Sequence, residues 1–320
     1  MTAEENKLAL SALAHCELCP RRCGADRLRG GRGYCGAGRY AKASLVSLHQ
    51  WEEPCIAGDK GAGTVFFAHC NLGCVFCQNS LISRAEDVPG YEVEEERLAE
   101  IFLEQQERGA ETLDLVTPTH YAPQIVAALA MARENGFSLP VVWNSSGYEL
   151  AETVPLLSAA GVSVFLPDVK YYTAETAARY AGAGDYFAAA RAAVTAMVRA
   201  AGEPRFNENG IMTGGVLVRH LVLPGKRRES MAILKWLWDS FGSSIRLSLM
   251  NQYIPLGRAA EFKEINRRLT TFEYESVTDY ALELGFAEEQ VYVQGREAAT
   301  AEYVPEFDGR GVLAKERRIN

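Results

Sequence analysis

Three cysteines lie within eight residues and directly follow a short apolar run. Cys70, Cys74 and Cys77 have the spacing C-x₃-C-x₂-C. Three thiolates on one loop can bind three irons of a four-iron cluster, which normally takes four thiolates, and the fourth iron is then open to another molecule. With His69 or His120 as a fourth ligand, the same spacing would instead suit a closed zinc site. The loop is therefore expected to hold a metal, as a reactive centre or as a structural one.

A second set of cysteines lies nearer the amino terminus and contains four thiols. Its members follow the spacing C-x₂-C-x₃-C-x₁₁-C and are Cys16, Cys19, Cys23 and Cys35. Four thiolates make a closed tetrahedral site, so structural zinc is the simplest interpretation and an auxiliary iron–sulfur cluster is the alternative. Cys55 is assigned no role. All eight cysteines lie at or before Cys77, and in a cytosolic enzyme such clustering is more typical of metal binding than of disulfides.

The elements that must position these thiols follow from an alternation of apolar runs and helical stretches. Runs typical of strands lie at 63–69, 112–117, 140–144, 162–169, 215–223, 244–250 and 290–294. Helical periodicity covers 94–108, 122–135, 151–159, 185–201, 227–240, 258–269 and 273–285. Strands alternating with helices predict parallel β-α units, and their number predicts an α/β fold with a partial (β/α)₆ barrel. A Rossmann-type sheet is the alternative, but neither G-x-G-x-x-G after an early strand nor a P-loop motif occurs.

Composition bounds the organisation and the partners of the chain. Residues 1–60, rich in Cys, Arg and Gly, are predicted to form a small metal-binding module, and residues 61–320 the barrel. The net charge of −8 argues against broad binding to nucleic acid. The amino-terminal stretch is too acidic for a signal peptide and no apolar run is long enough to cross a bilayer, so a cytoplasmic protein without a membrane partner is expected.

Between Pro20 and Lys42 the local charge is the opposite of that of the whole chain. Seven basic residues stand there against the single acidic residue Asp26. Compensation of the negative metal–thiolate centre, together with solvated arginines, is the favoured interpretation. A docking patch for RNA or for an acidic protein is the alternative.

Polar residues at the carboxyl ends of the predicted strands are candidates for the mouth of the barrel. Asp168 and Lys170 share one face with the apolar residues before them, although a simple surface ion pair would give the same pattern. Asn144 and Ser145 end the third strand, where an ordinary turn is the alternative. Arg219 lies inside an apolar strand, so it must meet an anion, either a carboxylate side chain or a cofactor.

The cysteine spacing, with the aromatic Phe76 before the third cysteine, resembles the radical S-adenosylmethionine (SAM) superfamily. The longer run 52–83 resembles one subfamily in particular, the pyruvate formate-lyase activating enzyme-like proteins with an amino-terminal cysteine module. The resemblance continues through 115–125, 144–149, 166–171, 218–225 and 250–255, so it covers nearly the whole chain. Its motifs are specific for this subfamily and not for a substrate.

The resemblance implies a [4Fe-4S] cluster on the C-x₃-C-x₂-C loop that binds SAM through its open iron. Reductive cleavage of SAM would give methionine and a 5′-deoxyadenosyl radical, which abstracts a hydrogen atom from a substrate. The family name points to a backbone glycine of a partner protein. Another peptide or protein side chain, a small molecule and RNA are the alternative targets, and a non-enzymatic metal-binding scaffold is the alternative class. The electron is expected from a donor such as flavodoxin or ferredoxin.

The same resemblance assigns further residues to the cofactor. Lys170 is expected near the ribose or carboxylate of SAM, Asp168 near a neighbouring polar or cation site, and Asn144 and Ser145 near the methionine carboxylate. Phe76, Arg219 and Gln252 complete the expected cofactor surroundings. The chain departs from the family where a Gly-Gly-Glu-like motif binds the methionine ammonium group, because Thr117-Pro118-Thr119-His120 stands there. The hydroxyls of Thr117 and Thr119 are the substitute acceptors, and His120 is a candidate general base or substrate ligand.

Overall fold

A single sheet of ten strands organises the computed structural model, which describes residues 10–84, 87–302 and 304–314. The strands are β1 Ala41–His49, β2 Ala62–Phe67, β3 Tyr91–Val93, β4 Leu113–Val116, β5 Val141–Ser145, β6 Val162–Pro167, β7 Arg205–Phe206, β8 Met212–Leu221, β9 Arg246–Met250 and β10 Val291–Val293. Their order is β10-β9-β8-β6-β5-β4-β2-β1-β3, with β7 paired to β8. All neighbours from β2 to β10 along this path are parallel, whereas β1 pairs antiparallel with β2 and β3.

Helices connect most of the parallel strands. They are α1 Pro54–Ala57, α2 Ser80–Ser83, α3 Glu95–Glu107, α4 Ala122–Glu134, α5 Val154–Ala159, α6 Ala174–Ala181, α7 Tyr186–Ala201, α8 Arg227–Phe241 and α9 Thr271–Leu284. None of the described helices is both long and apolar enough to cross a bilayer. The predicted fold class, an α/β fold with a partial (β/α)₆ barrel, is confirmed by six parallel strands from β2 to β9, to which β10 adds a seventh.

Side chains alternate between two cores, as the two-residue period of a strand requires. On β5, Val141 and Trp143 pack outward against the helices, whereas Val142 packs inward beside Val164 and Leu217. The inner core fills the amino-terminal end of the barrel. The polar residues that follow it along each strand therefore meet at the carboxyl end, where the cysteine loop also begins.

One predicted helix, over 258–269, is wrong. The segment contains a short 3₁₀ turn, Ala259–Glu261, and is otherwise made of turns and irregular structure. Gly257 turns the chain with φ +58°, and the next amide, that of Arg258, donates a 2.7 Å hydrogen bond to the Val75 carbonyl. A Cβ at position 257 would lie 2.9 Å from the same carbonyl oxygen, so the close approach requires glycine. A tertiary contact thus replaces the helix that the periodicity favoured.

The sheet extends across the predicted domain boundary at residue 60. Strand β1 lies within the predicted module but is hydrogen-bonded to β2 along most of its length, so it belongs to the sheet. Residues 10–40 are irregular and include two 3₁₀ turns, Ala12–Ala14 and Arg27–Arg29. We use the term amino-terminal module for residues 10–40. Residues 1–9, at the start of the stretch tested for a signal peptide, lie outside the described residues.

Candidate functional site

The cysteine loop follows β2 directly and is shaped by its own backbone. His69 adopts φ +74° and Gly73 φ +71°, so the chain reverses tightly between the first two cysteines. The amides of Leu72 and Gly73 donate to Cys70 Sγ at 3.3 and 3.4 Å. The Tyr171 hydroxyl donates to Cys74 Sγ at 3.0 Å. The sulfur atoms are thus surrounded by donors, which favour the thiolate form that binds metal.

Two of the three thiols, those of Cys74 and Cys77, have a raised pKa. Burial raises the pKa of Cys74 to about 12, and burial together with the charge of Cys70 raises the pKa of Cys77. A bound cation reverses this preference and deprotonates such thiols. Within the described part of the chain, no three His, Cys, Asp or Glu side chains converge closely enough to enclose a metal ion. The chemistry of the donors nevertheless fits an iron–sulfur cluster, because three partly buried thiols share one loop with hydrogen-bond donors to sulfur.

Phe76 anchors the loop in an aromatic cluster. Its ring makes edge contacts with Tyr171, Tyr180 and Tyr253 at centroid distances of 6.2, 6.2 and 5.7 Å. The side chain is buried, so in this structure it packs against protein groups. The cluster consequently fixes the position of the loop relative to the residues that follow β6 and β9.

Arg219, at the end of β8, is the centre of a buried polar network. Its guanidinium donates to Asp168 at 2.8 Å, to Glu52 at 3.0 Å and to Asn144 at 2.5 Å. The sequence left a carboxylate or a cofactor open as its partner, and the structure shows carboxylates. Lys170 also donates to Asp168. Burial would raise the pKa of Asp168, but the two cations outweigh it and lower that pKa, so Asp168 is ionised.

Carboxyl groups outnumber cations in this network. Burial raises the pKa of Glu52 and of Glu53, and it raises the pKa of Asp114 well above the usual range with a further contribution from Glu52. One oxygen each of Glu53 and Asp114 is buried without a hydrogen-bond partner among the described residues. We did not predict these three acids from the sequence. Asp114 could have been predicted in the way that Arg219 was, because it is a charged residue within an apolar strand.

Two predicted cofactor residues turn away from the Arg219 network. Thr119 donates to Glu149 at 2.7 Å, and Trp143 on the outer face of β5 donates to the same oxygen. Ser145 also hydrogen-bonds Glu149 and accepts from the Gly147 amide at 3.2 Å. Adjacent strand residues point to opposite faces, so Ser145 cannot share the inward orientation of Asn144. In this conformation Thr119 and Ser145 therefore bond Glu149, and their predicted contact with the cofactor stays a prediction.

The remaining predicted cofactor residues lie near the carboxyl ends of their strands. Thr117 has a buried hydroxyl without a partner in the described structure, so it is free to accept a donor. Gln252 donates to Gln78 beside the cysteine loop at 3.3 Å and accepts from Gln294 at 3.1 Å. This chain of amides joins the end of β10 to the loop.

His120 is buried beneath the start of the cysteine loop. Its Nε2 atom lies 2.9 Å from the Ala68 carbonyl, and its ring lies 4.3 Å from that of Tyr121 between centroids. Burial lowers the pKa of His120 to about 3, so the ring is neutral. The Nδ1 atom is buried without a hydrogen-bond partner among the described residues, and the role of His120 as a general base or substrate ligand stays a prediction. His220 is a satisfied core histidine, because its ring bonds the Val169 carbonyl and the Ser230 hydroxyl.

The four thiols of the amino-terminal module differ in exposure. Cys16 and Cys19 are buried, Cys35 is partly buried and Cys23 is exposed. Burial raises the pKa of Cys19 to about 11, with smaller contributions from Cys35 and Cys16. A Cβ at Gly33 would lie 2.2 Å from Cys23 Sγ, so the turn leaves no room for a side chain beside that sulfur. Cys55 lies elsewhere, in the inner core.

Several basic residues between Pro20 and Lys42 bond to other groups of the protein. Arg27 is buried and donates to the Gly38 and His120 carbonyls, Arg39 pairs with Glu95, and Lys42 donates to the Val88 carbonyl. These contacts remove the three side chains from any continuous surface patch. The docking patch for RNA or an acidic protein stays a prediction that depends on the remaining basic residues.

The chain belongs to the radical SAM superfamily, whose family model matches residues 64–237. It is thus a radical SAM enzyme that uses a [4Fe-4S] cluster and SAM. An uncharacterized protein of Methanocaldococcus jannaschii is 28% identical over 285 residues, which cover 86% of this chain and 76% of that protein.

Two solved structures are among those to which this chain is similar. Streptococcus suis SuiB bound to S-adenosylmethionine is 16% identical over 73% of this chain and 50% of that one, with a TM-score of 0.48. Methylornithine synthase (PylB) is 15% identical over 88% of this chain and 70% of that one, with a TM-score of 0.47. The chain spans about half the length of SuiB.

Proposed function

We propose that Cys70, Cys74 and Cys77 hold the [4Fe-4S] cluster and that the network around Arg219 forms part of the SAM site. One observation carries this assignment. Tyr171 bonds Cys74 while the preceding residue, Lys170, bonds Asp168 of the network. A single turn after β6 therefore borders both the thiols and the polar residues, as a cofactor bridging the two would require.

The residues of the site have separable tasks in this proposal. Cleavage of SAM at the reduced cluster supplies the 5′-deoxyadenosyl radical that is characteristic of the superfamily. Lys170 and Arg219 offer positive charge to the SAM carboxylate or ribose, and Asn144 holds Arg219 in orientation. Thr117 accepts from the ammonium group. The aromatic cluster around Phe76 keeps water from the loop.

We further propose that the hydrogen donor is a backbone glycine of a partner protein. The similarity of 52–83 to activating-enzyme-like proteins supports this class of substrate. Strands β10 and β3 end the path of the described sheet without pairing to each other, so the barrel is open on one side. An open side can admit a loop of another protein, which a closed barrel would exclude. The electron would come from a one-electron donor such as flavodoxin or ferredoxin.

The amino-terminal module is proposed to hold its own metal. The four thiols suit structural zinc, and an auxiliary iron–sulfur cluster is the second candidate. Support comes from the crowding at Gly33, where the backbone is pressed against Cys23 Sγ. A segment as irregular as residues 10–40 also gains its order from a bound metal more readily than from a core.

The test of the cluster assignment is anaerobic. The protein would be reconstituted with iron and sulfide, reduced with dithionite and assayed for 5′-deoxyadenosine from SAM. Cys74→Ala should abolish product, whereas Cys55→Ala, the matched loss of a buried thiol outside the loop, should retain it. Wild-type protein that forms no four-iron cluster, or equal product from both variants, would overturn the assignment.

The glycine proposal needs a separate measurement. Cells grown on α-deuterated glycine would supply a lysate, divided into a protein fraction and a small-molecule filtrate. Deuterium should appear in 5′-deoxyadenosine only with the protein fraction. Transfer from the filtrate alone would identify a small-molecule substrate instead. Absence of label, with cleavage stimulated by the protein fraction, would place the abstracted hydrogen on another residue.

A further inference from the structure

Arg21 joins the amino-terminal module to the cysteine loop. Its guanidinium donates to the carbonyl of Asn71 at 3.1 Å, and to those of Gly182 and Ala181 at 2.6 and 3.0 Å. Asn71 is adjacent to Cys70, and the two other carbonyls end helix α6. The Val75 amide of the loop also donates to this helix end, at the Tyr180 carbonyl. Arg21 therefore links three segments that meet at the cysteine loop.

A module cysteine contacts the same loop residue. The Asn71 side chain hydrogen-bonds the Cys19 thiol. Asn71 Nδ2 also donates to the Tyr148 carbonyl at 2.8 Å. The buried amide thus stands between a ligand candidate of the module and the backbone next to Cys70. Any rearrangement of Cys19 on metal binding must be accommodated by this residue.

A second connection runs through Arg27. The Arg27 guanidinium lies 4.0 Å from Cys16 Sγ and donates to the His120 carbonyl at 2.6 Å. The ring of His120 contacts the Ala68 carbonyl, two residues before Cys70. Each end of the cysteine loop's first turn is therefore tied to a different cysteine of the module.

Tyr34 completes the contact from the other side. The Arg21 guanidinium stacks on its ring at 3.8 Å and that of Arg84 at 4.0 Å. Arg84 also donates to the Tyr34 carbonyl at 2.9 Å. Tyr34 precedes Cys35, so a third module cysteine is adjacent to this packed unit. Stacked guanidinium groups with their donors bound to carbonyls have little freedom to reorient.

We propose that the two cysteine sets are thermodynamically coupled, with Arg21 and Asn71 as positioning residues: metal in the module holds the cysteine loop in the shape that retains the cluster. The proposal rests on the proposed function, since it takes Cys70, Cys74 and Cys77 as the cluster ligands. Linkage requires reciprocity, so a loaded cluster also tightens metal binding by the module by the same factor. Removing the metal of the module relaxes the cysteine loop, and removing the cluster relaxes the module.

The first test compares neighbouring arginines. Arg21→Ala removes the contacts to the loop, whereas the matched Arg22→Ala removes a guanidinium that pairs with Glu17 and Glu152. With the cluster loaded, iron release to an anaerobic chelator should be roughly tenfold faster in Arg21→Ala, equivalent to about 1.4 kcal/mol. The change that SAM causes in the electron paramagnetic resonance (EPR) spectrum of the reduced cluster should weaken. Equal release rates and spectra in both variants would overturn the proposal.

The second test removes the metal of the module without changing the residues that contact the cysteine loop. Cys23 is exposed, and its substitution by Ala should lower the metal content of the module while leaving Arg21 and Asn71 in place. Faster iron release from the cysteine loop is expected, even if Arg21→Ala fails to fold. Loss of module metal with wild-type iron release and spectra would refute the coupling. Wild-type protein without any cluster would refute the proposed function instead, so the two failures are distinguishable.

Discussion

Asp168 and Arg219 face each other on neighbouring parallel strands and are joined by both side chain and backbone. The Arg219 guanidinium donates to the carboxylate at 2.8 Å, and the Val169 amide donates to the Arg219 carbonyl at the same distance. Asn144 binds the guanidinium from the next strand. The charge at the mouth of the barrel is therefore oriented before any ligand enters, which lowers the reorganisation needed to bind one.

Substitution of Arg219 by Ala should destabilise the protein and weaken SAM binding. The change removes the guanidinium that Asp168 and Glu52 share and leaves Asp168 with Lys170 alone, so the free energy of unfolding should fall by about 3–5 kcal/mol. Urea unfolding and calorimetric titration with SAM would measure the two effects. Arg258→Ala is the control, because its pair with Glu261 is exposed and should contribute little. Wild-type stability and affinity in Arg219→Ala would contradict the central role of this network.

The stability of the protein should depend on pH through Asp114. The pKa of this carboxyl is raised in the folded state, so its favourable contribution is fully present below the unfolded value near pH 4 and is lost as pH rises through the folded value. Asp114→Asn removes the dependence. Its free energy of unfolding relative to wild type should increase with pH above 4, by at most about 1.4 kcal/mol per pH unit.

Asp168→Asn provides the opposite sign for comparison. The folded pKa of Asp168 is lowered, so its contribution is present above pH 4 and is lost as pH falls through the folded value. The deficit of Asp168→Asn relative to wild type should therefore shrink as the solution is acidified. Parallel pH profiles for the Asp114 and Asp168 variants would show that the two carboxyls do not have opposite protonation states.

Substitution of Tyr171 by Phe should lower the reduction potential of the cluster. The hydroxyl donates to Cys74 Sγ, and such a bond stabilises the negative charge that reduction adds. Tyr253→Phe is the matched control, since that ring borders the same aromatic cluster while its hydroxyl donates to the Ile265 carbonyl. Redox titration followed by EPR would compare them. Equal potentials would place Tyr171 outside the surroundings of the cluster.

Substitution of Gly33 by Ala should deplete the module of metal. The added methyl group would overlap Cys23 Sγ, so either the sulfur or the turn must move. Gly38→Ala is the control within the module, because its nearest neighbour would be 3.5 Å away, an ordinary contact. Metal content per chain after purification distinguishes them. Equal contents would show that Cys23 is not held at the metal by this turn.

The period-two pattern of the strands predicted much of the fold and part of the site. Val164, Leu166 and Asp168 were placed on one face by alternation, and the structure keeps them on the inner side of β6. Two adjacent residues, Asn144 and Ser145, were both assigned to the cofactor by resemblance, although alternation separates them. The strand geometry alone predicts that Ser145 and Asn144 face different sides of the sheet.

The rest of the site depends on contacts between distant parts of the chain. Glu52 meets Arg219 across 167 residues, and no local pattern marks that pairing. Gly257 likewise serves a close approach to the loop at Val75, which the helical periodicity of 258–269 conceals. Such contacts are decided by the tertiary fold, whereas the cysteine spacings are local and were visible at once.

The three acceptors of Arg21 are all main-chain carbonyls, and this has a consequence for how the protein can diverge. A carbonyl is present whatever side chain its residue carries, so the bond itself places no demand on the side chains at 181 and 182, although Gly182 is held to glycine by its φ of +58°. Arg21 has no such latitude, because no other side chain offers a planar set of five donors. The junction between module and barrel thus depends on the side chain of Arg21 alone. If Arg21 is lost, a substitution at the residues that supply the carbonyls cannot restore the hydrogen bonds.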